Sequence, residues 1–326
     1  NHNYVDAYFY LGYIYYEGID IPSDTEKAIY YYTIAANKNH ANAQLNLGFI
    51  YLKGEYVKHD IKKSLYYYTL AANQHFLPAL NTIAYIYENG EYVVKDINKA
   101  IYYYSLAEKY NDPTAQFHLG FIYDKIFKDI EKAIHFYSLA ANQNHSSAQL
   151  NLGIFYYEGK YVVRDISKAI YYFSIAANQN NAYALHLLGI IYINGEFISR
   201  NIDKAIYYFL RASNLKCANA QNDLGILYYE GKYVKRDMGK AIYFLEMAAK
   251  QNYQNAQYNL GMIYDQGKYV ARDAKKAIHY FSLVADKNHP DALLNLGLFL
   301  YEGDGCKQDI EKGLKYIILS SKNGSI

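Results

Sequence analysis

The chain has 326 residues, 43 of them tyrosine, with no tryptophan, and its 33 basic and 31 acidic residues leave a net charge of only +2. That balance excludes the positive field of a nucleic-acid-binding domain, and no apolar run approaches the ~20 residues of a membrane span. Cys217 and Cys306 stand 89 residues apart and no signal-peptide pattern opens this stretch, so no bridge and a reducing, cytoplasmic setting are expected.

Taken in chain order, one phrase keeps returning. KAIYYYTIA runs from Lys27, KSLYYYTLA from Lys63, KAIYYYSLA from Lys99 and KAIHFYSLA from Lys132. KAIYYFSIA follows from Lys168, KAIYYFLRA from Lys204, KAIYFLEMA from Lys240, KAIHYFSLV from Lys276 and a worn KGLKYIILS from Lys312. A second phrase, Ala-x-x-x-Leu-Gly-x-x-Tyr, interleaves with it. Its alanines are Ala7, Ala43, Ala79, Ala115, Ala148, Ala184, Ala220, Ala256 and Ala292, spaced by 36 residues except for one step of 33. An unbroken period of this length marks a repeat array and overrides the two-domain prior that length alone suggests. The expected organisation is one array over 1–326, in copies at about 6–40, 41–76, 77–112, 113–145, 146–181, 182–217, 218–253, 254–289 and 290–326.

Each copy reads as two helices. Helix A carries Ala43, Leu47, Ile50 and Tyr51, apolar at i, i+4, i+7 and i+8, and stops at Gly54; the matching glycines are Gly18, Gly90, Gly159, Gly195, Gly231, Gly267 and Gly303. A short loop leads to an N-cap for helix B: Asp24, Asp60, Asp96, Asp129, Asp165, Asn201, Asp237, Asp273 and Asp309. Pro78, Pro113 and Pro290 fall at the first turn of a helix A, where a missing N–H costs nothing. The fourth copy lacks the loop glycine and three residues (DKIFKD, 124–129), which predicts a tighter A–B turn and altered local geometry. The fold class is all-α, an αα-hairpin solenoid of nine ~36-residue repeats.

These residues carry a resemblance. Ala-x-x-x-Leu-Gly-x-x-Tyr-x-x-Gly, then Asp-x-x-Lys-Ala, two aromatics and Ala-Ala, is similar to the Sel-one-like repeat of the tetratricopeptide superfamily, over essentially all of 1–326. The resemblance implies a right-handed superhelix serving as an adaptor or scaffold with no chemistry of its own. Ala84 departs from it, standing where the other copies have the glycine of Leu-Gly.

The triple tyrosines follow from helical geometry. With Ala100 at 0°, Tyr103 and Tyr104 share the face of Ala100 and Ala107, so two of three are expected in the core. Tyr102 points away, as do Tyr30, Tyr66, Tyr171, Tyr207 and Tyr243. Either neighbouring B helices cover this column, or it forms an outer ridge for a partner.

Helix A is apolar nearly all round, and in a solenoid its inner face lines the concave side. A candidate protein-binding groove is therefore Leu45, Phe49 and Leu52; Phe117, Phe121 and Asp124; Leu150, Ile154 and Tyr157; and His186, Ile190 and Ile193. These positions vary between copies far more than the Leu-Gly-Tyr positions do. Asn46, Asn151, Asn259 and Asn295 form a neighbouring column whose amides can both donate to and accept from a peptide backbone. Lysines three residues after each cap, from Lys27 to Lys312, and a second column from Lys95 to Arg272 just before it form either a basic edge or solvated charges with buried stems.

Nothing points to catalysis, a metal or a cofactor. His40, His145 and His289 recur in the inter-repeat linker without metal-ligand spacing. GDGC (303–306) is a loop glycine with a neighbour, not a phosphate cradle, and the NHS and NGS triplets are chance matches to a glycosylation acceptor. The expected function is a non-catalytic scaffold that binds a protein segment in the groove. Two alternatives stay open: the interaction arm of a larger, kinase-type enzyme, and a structural component of a cytoskeletal or ciliary assembly. Terminal copies need polar caps. The unworn first copy suggests a docked or missing neighbour before Asn1, and the worn last copy suggests a terminus near Ile326, with Tyr8, Phe9 and Tyr10 left where a preceding helix would pack.

Overall fold

The computed structural model describes residues 2–55, 57–196, 198–287 and 289–324, so the expectations attached to Asn1, Ser325 and Ile326 lie outside the described residues. The chain forms an αα-solenoid of nine helix pairs, and every regular element among the described residues is helical. It divides into two compact units, residues 1–152 and 153–326. The first unit runs through α1 (His2–Glu17), α2 (Thr25–Ala36), α3 (Ala41–Lys53), α4 (Ile61–Ala72), α5 (Leu77–Asn89), α6 (Ile97–Glu108), α7 (Pro113–Ile122) and α8 (Ile130–Asn142) into α9 (Ser146–Glu158). The second continues from the end of α9 through α10 (Ile166–Asn178), α11 (Ala182–Asn194), α12 (Ile202–Asn214), α13 (Ala218–Glu230) and α14 (Met238–Ala249). It closes with α15 (Gln254–Gln266), α16 (Ala274–Ala285), α17 (Pro290–Glu302) and α18 (Ile310–Lys322). Odd-numbered helices are the A helices and even-numbered ones the B helices.

Each A–B loop is pinned at both ends. Gly54 ends α3 at φ +66°, a left-handed conformation that a side chain would strain, and its N–H closes on the Ile50 carbonyl. At the other end the cap side chain accepts from the backbone N–H three residues on, as Asp165 does from Lys168 at 2.9 Å. The cap's own N–H donates back to helix A, Asp96 to the Tyr87 carbonyl at 2.9 Å and Asp309 to that of Leu300 at 2.9 Å. The fourth repeat keeps this tie, Asp129 N–H to the Tyr123 carbonyl at 2.9 Å, despite its three missing residues. It does so by widening the end of helix A into a π-turn, Tyr123–Phe127, with Lys128 at φ 57° in the role of the absent glycine.

The linker histidines are structural. His40, His145 and His289 accept through Nδ1 from the N–H groups of Ala43, Ala148 and Ala292, capping the next A helix. Asn39, Asn111, Asn144, Asn180 and Asn252 supply left-handed turns just before, a conformation asparagine tolerates.

The core holds a column of large side chains, nearly all of them rings, most laid on the glycines of Leu-Gly. Tyr32, Tyr68, Tyr104 and Tyr137, then Phe173, Phe209, Leu245 and Phe281, are at most 1 % exposed. A Cβ at Gly261 would sit 2.6 Å from the Phe281 ring, so glycine is what permits this approach. The adjacent tyrosine of each run is only half-buried, contrary to the expectation of two core tyrosines in three; Tyr103 instead stacks on Tyr87 with centroids 6.4 Å apart. At α1 the expectation also needs correcting. Tyr8 stacks on Tyr31 and Phe9 on His40, leaving Tyr10 exposed.

Candidate protein-interaction surface

Counted from the repeat alanine, the sixth residue of each A helix forms an apolar column. Within the first unit it reads Tyr13, Phe49, Tyr85 and Phe121, and within the second Ile154, Ile190, Ile226, Met262 and Leu298. Tyr13, Phe49, Tyr85 and Leu298 are exposed and the others half-buried. The flanking candidates Leu45, Leu52, Phe117, Leu150, Tyr157 and Ile193 are half-buried beside it. Two candidates are not open at all. Asp124 is 4 % exposed and paired with Lys125 Nζ at 2.7 Å, while His186 is 7 % exposed with Nε2 2.8 Å from Asp223 Oδ2.

The asparagine column is partly engaged inside the protein. Asn259 donates to Asn222 Oδ1 (3.0 Å) and Asn295 to the Asp291 carbonyl (2.8 Å). Burial pushes the Tyr32 phenol up to about 12, with the Asn46 side chain pulling the other way. Asn151 does the same for the buried Tyr137, whose phenol is also raised chiefly by burial.

The outer column is open to solvent: Tyr30, Tyr66, Tyr102, Tyr171, Tyr207 and Tyr243 are 54–63 % exposed. Each ring packs edge-on against the tyrosine or phenylalanine beside it, as Tyr102 does on Tyr103 at 5.1 Å. The cation columns have internal partners. Lys99 Nζ lies 4.8 Å from the Tyr87 ring centroid and 3.6 Å from Asp96 Oδ2, and seven other repeats place the same lysine over the same tyrosine. Arg164, Arg236 and Arg272 donate through Nε to the carbonyls of Tyr157, Tyr229 and Asp265, in the last turns of α9, α13 and α15, where the helix dipole favours a cation.

Open notches lie between successive A helices. One, of about 210 Å³, is lined by Tyr13, Tyr16, Glu17, Asn46, Phe49 and Ile50 over Tyr32. Its equivalent over Phe209, of about 190 Å³, is lined by Ile190, Ile193, Asp223, Ile226, Leu227, Glu230 and Tyr233. The next one along, over Leu245, reaches about 360 Å³.

Sequence reasoning missed two polar features. Gln44 is buried and donates to the Ala36 carbonyl at the end of α2, and Gln149, Gln221 and Gln257 repeat the bond; the recurrent Ala-Gln pair was the available signal. Glu88, 6 % exposed, accepts from Tyr104 Oη at 2.8 Å and lies 3.0 Å from His118 Nδ1, with the His118 and Tyr104 rings stacked at 4.9 Å. Burial, then the Glu88 charge, raises the Tyr104 phenol well above its ordinary range. Among the described residues no group of three His, Cys, Asp or Glu side chains has the geometry to hold a metal ion, and no helix is long and apolar enough to cross a membrane.

The family model for the Sel1 repeat matches this chain nine times, at residues 5–40, 41–76, 78–109, 113–145, 146–181, 182–217, 218–253, 254–289 and 290–325. The chain belongs to the Sel1 repeat family. Among solved structures this Sel1 repeat chain is similar to c5321 of uropathogenic Escherichia coli, a protective antigen displaying an SLR fold. The identity is 28 % and the TM-score 0.72, over 98 % of this chain and 69 % of that one. It is similar as well to a Sel1 repeat protein from Oxalobacter formigenes, at 26 % identity and a TM-score of 0.76, over 92 % of this chain and 87 % of that one. No curated protein matches the chain in sequence. Sel1 repeat proteins generally mediate protein–protein interaction, and their solenoids are typically non-catalytic.

Proposed function

We propose that this Sel1 repeat chain is a non-catalytic adaptor or scaffold that holds a segment of a partner protein against its A-helix face. The observation that carries the reading is the apolar sixth-position column, broken by open notches between successive A helices. The column carries tyrosine or phenylalanine in the first unit and isoleucine, methionine or leucine in the second, while Leu-Gly departs only at Ile83-Ala84, as expected if the column reads a partner and Leu-Gly holds the fold. Phe49, Phe121, Ile154 and Ile190 are the contacts proposed first, with the amides of Asn46 and Asn151 beside them. The nine repeats act in this reading as one array in a cytoplasmic setting, in keeping with two free cysteines, Cys217 buried and Cys306 half-buried.

The outer tyrosine ridge is a rival surface, with its tyrosines 54–63 % exposed. A cytoskeletal or ciliary role loses much of the support of a basic edge, because eight of the cap-following lysines lie over tyrosine rings and Arg164, Arg200, Arg236 and Arg272 donate to main-chain oxygens. An interaction arm of a larger enzyme would use the same A-helix face. A photo-crosslinking amino acid placed singly at Phe49, Ile190 and Leu298, and at Tyr102 and Tyr171 for comparison, tests the assignment in cells. Adducts with a partner are expected from the first set; adducts from Tyr102 and Tyr171 alone would move the interface to the ridge.

A further inference from the structure

Seven of the nine repeats put tyrosine or phenylalanine in the ring column, but the seventh has Leu245 and the ninth Ile317. Leu245 is fully buried and lies against Gly225, as the rings elsewhere lie against their glycines. It does not fill the space a ring fills. The equivalent notches over Tyr32 and Phe209 measure about 210 and 190 Å³, whereas the one over Leu245 measures about 360 Å³, inside the ~300–1,000 Å³ range of small-ligand pockets. Its walls are apolar, from Ile226, Tyr229, Tyr258, Met262 and Ile263. Its rim is tied in place by hydrogen bonds between the two A helices, Tyr229 Oη to Gln266 Oε1 at 3.2 Å and Asn259 to Asn222 at 3.0 Å.

The rim carries a carboxylate. Glu230 lines both this notch and the one over Phe209, is exposed, and has no ion-pair partner among the described residues. Asp223 adds a second carboxylate at the neighbouring notch, although His186 shares it. Arg236 is held on the main-chain oxygens of Tyr229 and Glu230 and over the Tyr269 ring at 3.8 Å, and Arg200 lies over the Tyr233 ring at 4.9 Å.

We propose that the notch over Leu245 is the anchor pocket of the interaction face, taking one bulky aromatic side chain of a partner segment whose neighbouring residue is an arginine or lysine that pairs with Glu230. The assignment rests on the A-helix reading and adds to it the chemistry of the occupant. Leu245 then trades core volume for a socket, and Glu230 selects what enters beside the ring.

The chain contains no tryptophan, so a tryptophan peptide reports its own burial without background. The probe is the blocked hexapeptide Gly-Ser-Trp-Arg-Gly-Ser, with versions carrying alanine for tryptophan and glutamate for arginine as controls. Titration of the intact chain should give a saturable blue shift that both controls lose. Leu245→Phe restores the residue type of the repeat and should leave the fold intact while weakening binding by about tenfold or more. Met262→Phe, which narrows the notch from its exposed side, covers the case in which L245F misfolds. E230Q should weaken binding severalfold and flatten its salt dependence. Equal binding by wild type, L245F and M262F, or no saturable binding below ~1 mM, would overturn the proposal. So would self-association of the wild type that L245F abolishes, since the occupant would then be a second copy. Groove crosslinks from Phe49 and Leu298 that survive in L245F alongside unchanged peptide binding would refute the pocket alone and leave the A-helix reading standing.

Discussion

Replacing Tyr104 with phenylalanine isolates one buried hydrogen bond. The ring column already accepts phenylalanine at Phe173, Phe209 and Phe281, so the packing is preserved. What disappears is the 2.8 Å donation from Tyr104 Oη to Glu88, whose side chain is 8 % exposed and keeps only His118 Nδ1 at 3.0 Å. A bond to a charged group contributes about 1.5–3 kcal/mol, and the stranded carboxylate bears the desolvation cost. Tyr68→Phe is the matched control, equally buried but with the neutral Ser64 as its neighbour, and should cost about 1 kcal/mol or less. The double variant Tyr104→Phe/Glu88→Leu removes both ends of the pair and installs the residue found at Leu52, so it should recover most of the loss. A repeat array can open in pieces, so one global unfolding free energy is a poor readout. Native-state amide exchange resolves the local openings instead. Exchange in α5 and α6 should accelerate by about tenfold or more in Y104F, and much less in α4 of Y68F. Equal effects of the two single variants, or a double variant no better than Y104F, would refute the reasoning.

Three further outcomes follow from the geometry. Burial raises the phenol of Tyr32 to about 12 and raises those of Tyr68, Tyr104 and Tyr137 as well. Unfolded tyrosines release their protons near pH 10 while these still hold them, so the unfolded state binds fewer protons and stability should fall as pH rises above about 10; a melting temperature constant from pH 9 to 11.5 would contradict this. Burial, then His118, lowers the His145 imidazole against an opposing pull from Asp112, so the unfolded state takes up a proton first and stability drains as pH falls below about 6.5. His145→Asn, which copies the cap at Asn181, should flatten that acid limb in α9 exchange, and an unchanged limb would assign it elsewhere. Gly261→Ala should destabilise the eighth repeat by about 1–3 kcal/mol, because its Cβ would stand 2.6 Å from the Phe281 ring; undiminished protection of α15 would mean that the ring yields freely.

The sequence alone determined the helix pairs, their caps and their order. A cap such as Asp96 reaches three residues, a stop such as Gly54 depends on its own φ, and the alanine spacing repeats a register that only stacked helix pairs satisfy. Interactions of that range are written in neighbouring letters. The inner column was also legible, because helical period separates it from Leu-Gly. Its openness was not, since Asp124 and His186 follow the same spacing and yet are closed by a lysine beside one and an aspartate one repeat away from the other. The partners of the cation columns were hidden for a related reason. Lys99 finds its ring on Tyr87, twelve positions back across the A–B loop, and a reading along one helix sees only an unfavourable charge near an N-terminus. Leu245 was legible in the letters only as one of two departures from an aromatic column, with Ile317. That an open notch lies over Leu245 was decided by tertiary packing, because its walls come from two A helices that sequence neighbours do not bring together.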